Sequence, residues 1–280
     1  MTRRAAKFAP AALTVASTDS GGNAGIMADL RVFRDFSVHA CAAVASVTAQ
    51  NPSAVLAVHP VPENVFRAQL EAVIPCYAIR AAKTGMLFSE NLVCAAAEML
   101  GGAKFPVVVD PVMVATSGAA LLEPSAIAAV KKRLLPVAYA VTPNIPEAEI
   151  LAERPVKSFR DAIDAARAIY DRYGCIVVLK GGHAAGAVPG ALKKDPAWKF
   201  KGPVAVDIVC SGRGECSLLV SAKVRRPVST HGTGCTLSAA IAAGLARGKG
   251  FAAAAREAKE YTACAIRDSH SVGPKAGVLA

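Results

Sequence analysis

Residues 105–112 read Phe-Pro-Val-Val-Val-Asp-Pro-Val. Three consecutive valines make a short, continuous β-branched run without polar alternation, the pattern of a strand buried on both faces. Such a strand needs helices above and below it, which points to an α/β fold. The run ends in Asp110-Pro111, so a carboxylate follows directly on the buried segment.

The chain repeats this design in both directions. Upstream, ALTVAS (12–17) reads as a buried strand, followed by a Gly-rich turn and a helical stretch from Ala24 to about Phe36. CAAVASVTA (41–49) and AVLAVH (54–59) read as two further strands, and a helix opens near Pro62 with Glu63 in its first turn. AIRAAKTGM (78–86) suggests a strand, and Glu90–Leu100 a helix stopped by Gly101-Gly102. Downstream, the pattern predicts a helix over Ser125–Leu134, a strand in AYAVTPN (138–144), and helices over Pro146–Leu151 and Ser158–Arg172. CIVVLKGG (175–182) is another buried strand, while PVAVDIVC (203–210) and CSLLVSAKV (216–224) look like antiparallel edge strands. Helices over Thr236–Ala246 and Phe251–Arg267 close the series. Strand–helix repetition of this kind implies a mostly parallel sheet with right-handed crossovers. The expectation is one α/β domain over residues 11–280, after a flexible basic segment at 1–10, with a surface loop at 184–203.

Composition narrows the function classes. Hydrophobic residues are 53% of the 280 and aromatics 5%, an Ala- and Val-rich makeup suited to a packed core rather than disorder. The longest apolar runs, such as LSAAIAAGLA, are too short to cross a bilayer, and no secretory h-region is apparent. The eight cysteines contain no CxxC pair, so mostly reduced core thiols and a cytoplasmic location are expected. A net charge of +11 suits anionic partners. The basic clusters are short, and no nucleic-acid-binding motif appears, so no nucleic-acid or membrane partner is expected.

Ligands of such sheets bind at the carboxyl ends of the strands. The polar residues expected there are Thr18-Asp19-Ser20-Gly21-Gly22, Gln50-Asn51, Lys83-Thr84-Gly85-Met86, Asp110-Pro111, Thr142-Pro143-Asn144 with Glu147, and Lys180-Gly181-Gly182-His183. STHGTGCTLSAAIAAGLARG (229–248) adds a glycine-rich turn that runs into an Ala-rich helix at a cysteine. The unpaired N–H groups of that helix start would hold a phosphate and would lower the pKa of the Cys235 thiol. On this stretch alone, a small buried cysteine beside an ordinary loop explains the residues equally well. Taken together, an acid, an Asn…Glu pair, a lysine and a glycine cradle are the parts of Mg-assisted phosphoryl transfer, without the P-loop pattern.

Several motifs, in order, resemble one family. ALTVASTDSGGNAGIMADL, SVTAQN, KTGML, VVVDPVMVATSG, VTPNIPEAEIL, VLKGGH and THGTGCTLSAAIAAGLA are similar to the hydroxymethylpyrimidine/phosphomethylpyrimidine kinases of thiamine biosynthesis, members of the ribokinase-like superfamily. The resemblance covers nearly the whole chain. It departs at Ser17 and Asn23, where glycine is usual, at Met27 for glutamine, and at Thr116 for a common lysine. Residues 182–201 match poorly, and the tail SVGPKAGVLA keeps only part of the usual ending.

The resemblance implies a three-layer α/β/α ribokinase-like fold and an ATP- and Mg²⁺-dependent kinase. The enzyme would phosphorylate the pyrimidine alcohol and then its monophosphate, and would form a homodimer. By the same carry-over, Cys235 is the base and Gly232, Thr233 and Gly234 stabilise the transferred group. Asn144 and Glu147 organise Mg²⁺ through water, with Asp110 contributing, and Lys180 meets the ATP phosphates. Gln50 bonds the aminopyrimidine, and Asp29, Gly21, Met86 and Val112 (through its backbone) occupy neighbouring pocket positions. Pyridoxal kinase is the alternative within the superfamily. A non-catalytic sensor on this fold would be expected to lose the metal or base residues, which are all present here.

Overall fold

The computed structural model describes residues 8–113, 122–181, 200–212, 215–274 and 276–280. Thr116, Gly182, His183 and most of the expected 184–203 loop lie outside the described residues, as do residues 1–7 of the basic segment. In chain order the elements are β1 (Ala11–Ala16), α1 (Gly25–Asp35), β2 (His39–Val44), β3 (Ser46–Asn51), β4 (Ala54–Pro60), α2 (Glu63–Val73), β5 (Ile79–Thr84), α3 (Glu90–Gly101), β6 (Val107–Val109), α4 (Pro124–Ala129), β7 (Ala140–Val141), α5 (Ile145–Ala152), α6 (Phe159–Tyr173), β8 (Ile176–Lys180), β9 (Val204–Cys210), β10 (Cys216–Ala222), α7 (Thr233–Ala246), α8 (Phe251–Arg267), β11 (His270–Gly273) and β12 (Ala276–Val278).

Eight strands form the central sheet in the order β10-β9-β8-β7-β6-β5-β1-β2. From β2 to β8 every neighbouring pair is parallel, whereas β9 runs antiparallel to both β8 and β10. Alternate strand residues serve opposite faces. Leu13, Val15, Val107, Val109 and Val177 enter one core with α2–α6, while Ala12, Ala81, Val108 and Val178 enter the other with α1, α7 and α8. The second layer is built largely from alanine, which lets α7 lie close to the sheet and to α8. A methyl group on Gly244 of α7 would stand 2.7 Å from the Ala254 Cβ of α8. That distance is incompatible with packing, so glycine is required at 244 for the two helices to approach.

Four local features differ from the sequence expectation, each for a physical reason. CAAVASVTA is two strands: β2 ends at Val44, Ala45 N–H donates to Ala16 O, and the chain leaves the sheet at Ser46 to form the β3–β4 ribbon. The helix expected through Leu134 is α only to Ala129 and then widens to a π turn over Val130–Leu134, followed by a 3-10 turn over Leu135–Val137. Pro136 lacks the N–H that would continue the regular ladder, and its ring crowds the preceding turn. The β11–β12 hairpin, absent from the sequence expectation, lacks the alternating apolar pattern that marks strands. Finally, Cys210 and Cys216, expected to be reduced, are disulfide-bonded. The β9–β10 register sets them directly opposite each other, which sequence spacing alone does not reveal.

Candidate active site

The carboxyl ends of β1, β5, β6, β7 and β8 converge with the first turn of α7 and with the inner face of the β3–β4 ribbon. Two glycine turns meet at the centre of this edge. In the first, residues 17–25, the buried Asp19 carboxylate accepts backbone N–H groups from Gly21 (2.8 Å), Asn23 (3.0 Å) and Ala24 (2.8 Å). Its negative charge therefore shapes the turn from inside. Ser17, a departure from the resembled family, is fully used: its hydroxyl meets Ser46 Oγ at 2.5 Å and the Met86 carbonyl at 2.9 Å. One side chain thus joins the ends of β1 and β5 to the start of β3.

The second turn, residues 230–234, enters α7 through Gly232, whose φ of +85° lies in the left-handed region open to glycine. A Cβ there would stand 1.9 Å from the Asn23 carbonyl oxygen, so the two turns interlock backbone to backbone. The helix expected from Thr236 starts at Thr233, which puts Cys235 inside its first turn. The first N–H groups of a helix have no partner within it, so this turn presents donors to an anion.

Beneath the turns runs a row of buried charges. Lys83 Nζ lies 2.9 Å from both oxygens of Asp29, and Thr14 Oγ1 donates to Asp29 Oδ2 at 2.6 Å. Both side chains of this ion pair are wholly buried. Burial works against the Lys83 ammonium, but Asp29 outweighs it and holds the lysine above its ordinary value. Next in the row, Lys180 Nζ donates to Asp110 Oδ1 at 2.9 Å, joined by Thr142 Oγ1 (3.1 Å). Ser238 Oγ of α7 donates to Asp110 Oδ2 at 3.2 Å. Burial pushes the Asp110 carboxyl up, yet Lys180 and Lys83 prevail and keep it below the usual carboxylate range.

Asn144 and Glu147 form a reciprocal capping box on α5. Asn144 Oδ1 accepts Glu147 N–H at 2.9 Å, and Glu147 Oε2 accepts Asn144 N–H at 2.8 Å. The other Glu147 oxygen accepts Met113 N–H at 3.0 Å. Val112, a β-branched residue at φ +44°, makes the backward turn that delivers this N–H. Burial pushes the Glu147 carboxyl up, and nearby Asp110 adds to this against the pull of Lys180. Asp110 and Glu147 thus bring two buried carboxyl groups together beside Lys180 as oxygen donors. That donor set suits a hard divalent cation held mainly through water and substrate phosphates. Among the described residues, no three His, Cys, Asp or Glu side chains cluster tightly enough to form an all-protein cage.

Cys235 departs from expectation. The helix start was expected to lower its pKa, but burial pushes the thiol up, with Asp29 and Asp110 adding to the rise. Lys83 and the Gly25 N–H act in the opposite direction without reversing it.

Most of the sequence-derived residues meet at this edge. Gln50 projects from β3, where its side-chain nitrogen lies 3.3 Å from His231 Nε2. The Met86 carbonyl is engaged by Ser17, and the Gly21 N–H by Asp19. Asp29 was placed in the pocket by resemblance. Here it is fully buried, with both oxygens bonded to Lys83 and one also accepting from Thr14. Residues given no role from sequence include Lys83, Asp19, His231 and Ser238. Lys83 had a visible signal, since it is a lysine near the end of a buried strand, in KTGML. Asp19 and His231 act through turn geometry, and Ser238 through a helix-to-strand contact with Asp110, which only the folded chain displays.

The family model for phosphomethylpyrimidine kinase matches residues 19–280. The hydroxymethylpyrimidine/phosphomethylpyrimidine kinase of Streptomyces coelicolor is 40% identical over 264 residues, which span 94% of this chain and 91% of that protein. Among solved structures, Bacillus subtilis pyridoxal kinase in an ADP complex superposes with a TM-score of 0.82 at 31% identity, covering 97% of each chain. Phosphomethylpyrimidine kinase from Clostridium difficile 630 gives 0.75 at 33% identity, covering 90% of this chain and 96% of that one. The parallel sheet between two helical layers is thus the ribokinase-like α/β/α fold, and the chain belongs to the phosphomethylpyrimidine kinase family.

Proposed function

We propose that this enzyme transfers the γ-phosphoryl group of ATP to 4-amino-5-hydroxymethyl-2-methylpyrimidine. It then phosphorylates the monophosphate to the diphosphate, for thiamine biosynthesis. One observation carries the reading: a carboxamide suited to an aminopyrimidine, Gln50, and a cysteine in an anion-binding helix turn, Cys235, belong to the same sheet edge. Relatives of this family carry the two activities in their names, as in Streptomyces coelicolor.

In this mechanism Gln50 holds the ring and Cys235 Sγ accepts the hydroxymethyl proton. The substrate oxygen forms a bond to the γ-phosphorus while the bond to the bridging oxygen breaks, and ADP leaves. Cys235 acts in this step as the thiolate, a form that the Lys83 charge and the Gly25 N–H favour and burial opposes. N–H groups of the Gly232-Thr233-Gly234 turn stabilise charge on the transferred group, and Lys180 neutralises phosphate oxygens. Asn144, Glu147 and Asp110 would hold Mg²⁺, which supplies charge neutralisation on the ATP phosphates.

Residues 11–280 act as one kinase domain in this reading, in the cytoplasm and without a nucleic-acid partner. Among the described residues no helix is long and apolar enough to cross a membrane. We further read the protein as a homodimer. The β3–β4 ribbon carries no Asp, Glu, Lys or Arg and exposes Leu56, Val47 and Val55, apolar side chains that a second copy would cover.

The test is purified protein with Mg-ATP, assayed in parallel on the pyrimidine alcohol, its pure monophosphate and pyridoxal. Products are identified by mass spectrometry. Mono- and diphosphate formation is expected. Transfer of only one phosphate would remove the second step. Far better turnover of pyridoxal would favour the second reading, pyridoxal kinase, which the 0.82 superposition supports.

A further inference from the structure

We propose that His231 is a specificity-determining positioning residue that fixes the orientation of the Gln50 carboxamide. This inference rests on the pyrimidine reading above.

The His231 ring lies between the two halves of the pocket. Its Nε2 is 3.3 Å from Gln50 Nε2 on the ribbon and 3.5 Å from Asp19 Oδ2 in the first glycine turn. Its backbone N–H donates to Ser229 Oγ at 3.2 Å, which steadies the residue within its own turn. The side chain is about one-third exposed, whereas Asp19 is buried.

Hydrogen-bond accounting defines the roles. The two ends of a carboxamide have the same shape, and the partners decide which end is which. Gln50 Nε2 has two hydrogens. In the proposed arrangement one of them donates to His231 Nε2, which requires the ring proton on Nδ1. Thr48 Oγ1 lies 3.5 Å from Gln50 Oε1, but its only proton is committed to the Thr18 carbonyl at 2.7 Å. Gln50 is left with a free acceptor, Oε1, beside one free N–H.

That pair matches the edge of a 4-aminopyrimidine, where an amino donor adjoins a ring-nitrogen acceptor. A Gln or Asn carboxamide reads adenine by the same bidentate pattern. Pyridoxal has no amino group beside its ring nitrogen. By accepting one amide hydrogen, His231 prevents the half-turn that would exchange the Oε1 and Nε2 ends of Gln50. Selection among vitamin-like rings therefore extends to a residue in the phosphate-binding turn.

A double-mutant cycle tests this. His231→Phe should raise the pyrimidine KM about tenfold, the scale of one lost hydrogen bond. Its kcat should stay within about threefold, and kcat/KM for pyridoxal within about twofold. In a Gln50→Ala background the same replacement should change the pyrimidine KM by less than about twofold. His231→Gln, which restores an acceptor, should recover most of the loss. ¹⁵N spectra of the wild-type imidazoles should show His231 Nε2 unprotonated at neutral pH, a readout that needs no folded Phe variant. An equal KM rise in both backgrounds, a fall in kcat at constant KM, or a protonated Nε2 would overturn the proposal. Wild-type protein that leaves the pyrimidine untouched would overturn the functional reading, and this inference with it. An additive cycle in an active enzyme overturns this inference alone.

Discussion

Gly232 lies against Asn23 so closely that a methyl group on the glycine would stand 1.9 Å from the asparagine carbonyl oxygen. The contact joins the first glycine turn, residues 17–25, to the turn that opens α7. Gly232→Ala would introduce this clash at a left-handed φ. We expect a stability loss of about 2 kcal/mol or more and a kcat fall of roughly 10²-fold. Urea denaturation and initial rates measure both, and an unaltered kcat would show that the interlock is not needed for catalysis.

Cys235→Ala should lower kcat by about 10²–10⁴ with the fold retained. Cys235→Asp should keep part of the activity, because a carboxylate can also take the proton. Burial pushes the thiol up, so Cys235 alkylation by iodoacetamide should be slow at neutral pH and accelerate only beyond the ordinary thiol range. The exposed Cys76 and Cys264 serve as internal references in peptide mass spectra. Faster alkylation of Cys235 than of those two at neutral pH would mean a preformed thiolate.

The Lys83–Asp29 pair is buried on both sides. Lys83→Met strands the Asp29 charge and should cost about 3–5 kcal/mol. Adding Asp29→Leu removes the stranded charge and should recover most of that loss. Denaturant midpoints of the two variants decide the matter. If the double variant is no more stable than the single, the pair contributes through geometry and not charge.

Asp110 titrates below its ordinary value in the folded protein. The stability it contributes is complete above that ordinary value and is lost as pH falls through the lower, folded-state one. Lys180→Met removes the principal opposing charge, so the Asp110 carboxyl should rise towards or past its ordinary value, the variant should be less stable at neutral pH, and its further loss on acidification should shrink. Melting temperature followed from neutral to acidic pH should show both changes. Superimposable curves would exclude them.

Glu147→Gln keeps the size of the side chain but removes one of two buried carboxylates facing Lys180. The Mg²⁺ concentration for half-maximal rate should rise several-fold, with the pyrimidine KM little changed. An unchanged Mg²⁺ curve would reduce Glu147 to its observed capping role on α5.

The sheet and its helices were legible because valine runs, proline entries and glycine stops are local signals. FPVVVDPV specified a strand buried on both faces, and Val107, Val108 and Val109 are all buried. The carboxyl-end placement of Asp110, Lys180 and the α7 turn followed from topology. What sequence did not reveal depends on cross-chain geometry. Asp29 and Lys83 are 54 residues apart, and nothing local shows that they pair beneath the pocket. The raised Cys235 pKa has the same origin: the helix start is readable, but the weight of burial and of Asp29 and Asp110 is not. His231 stands beside a motif whose glycines attract attention, while its partner Gln50 is 181 residues away.

Helix α7 rises about 1.5 Å per residue, so Gly244 is roughly 14 Å along its axis from Cys235. Between them the helix is nearly all small, wholly buried side chains with little capacity to yield. Gly244 abuts Ala254 on α8, where even a methyl group is too large. The helix thus behaves like a stiff rod seated at its far end: crowding at that seat would slide or tilt the rod and carry the cysteine with it. In the proposed mechanism the sulfur is therefore aimed partly by a seam between two helices outside the pocket, and substitutions at that seam would tune turnover while leaving every pocket residue intact.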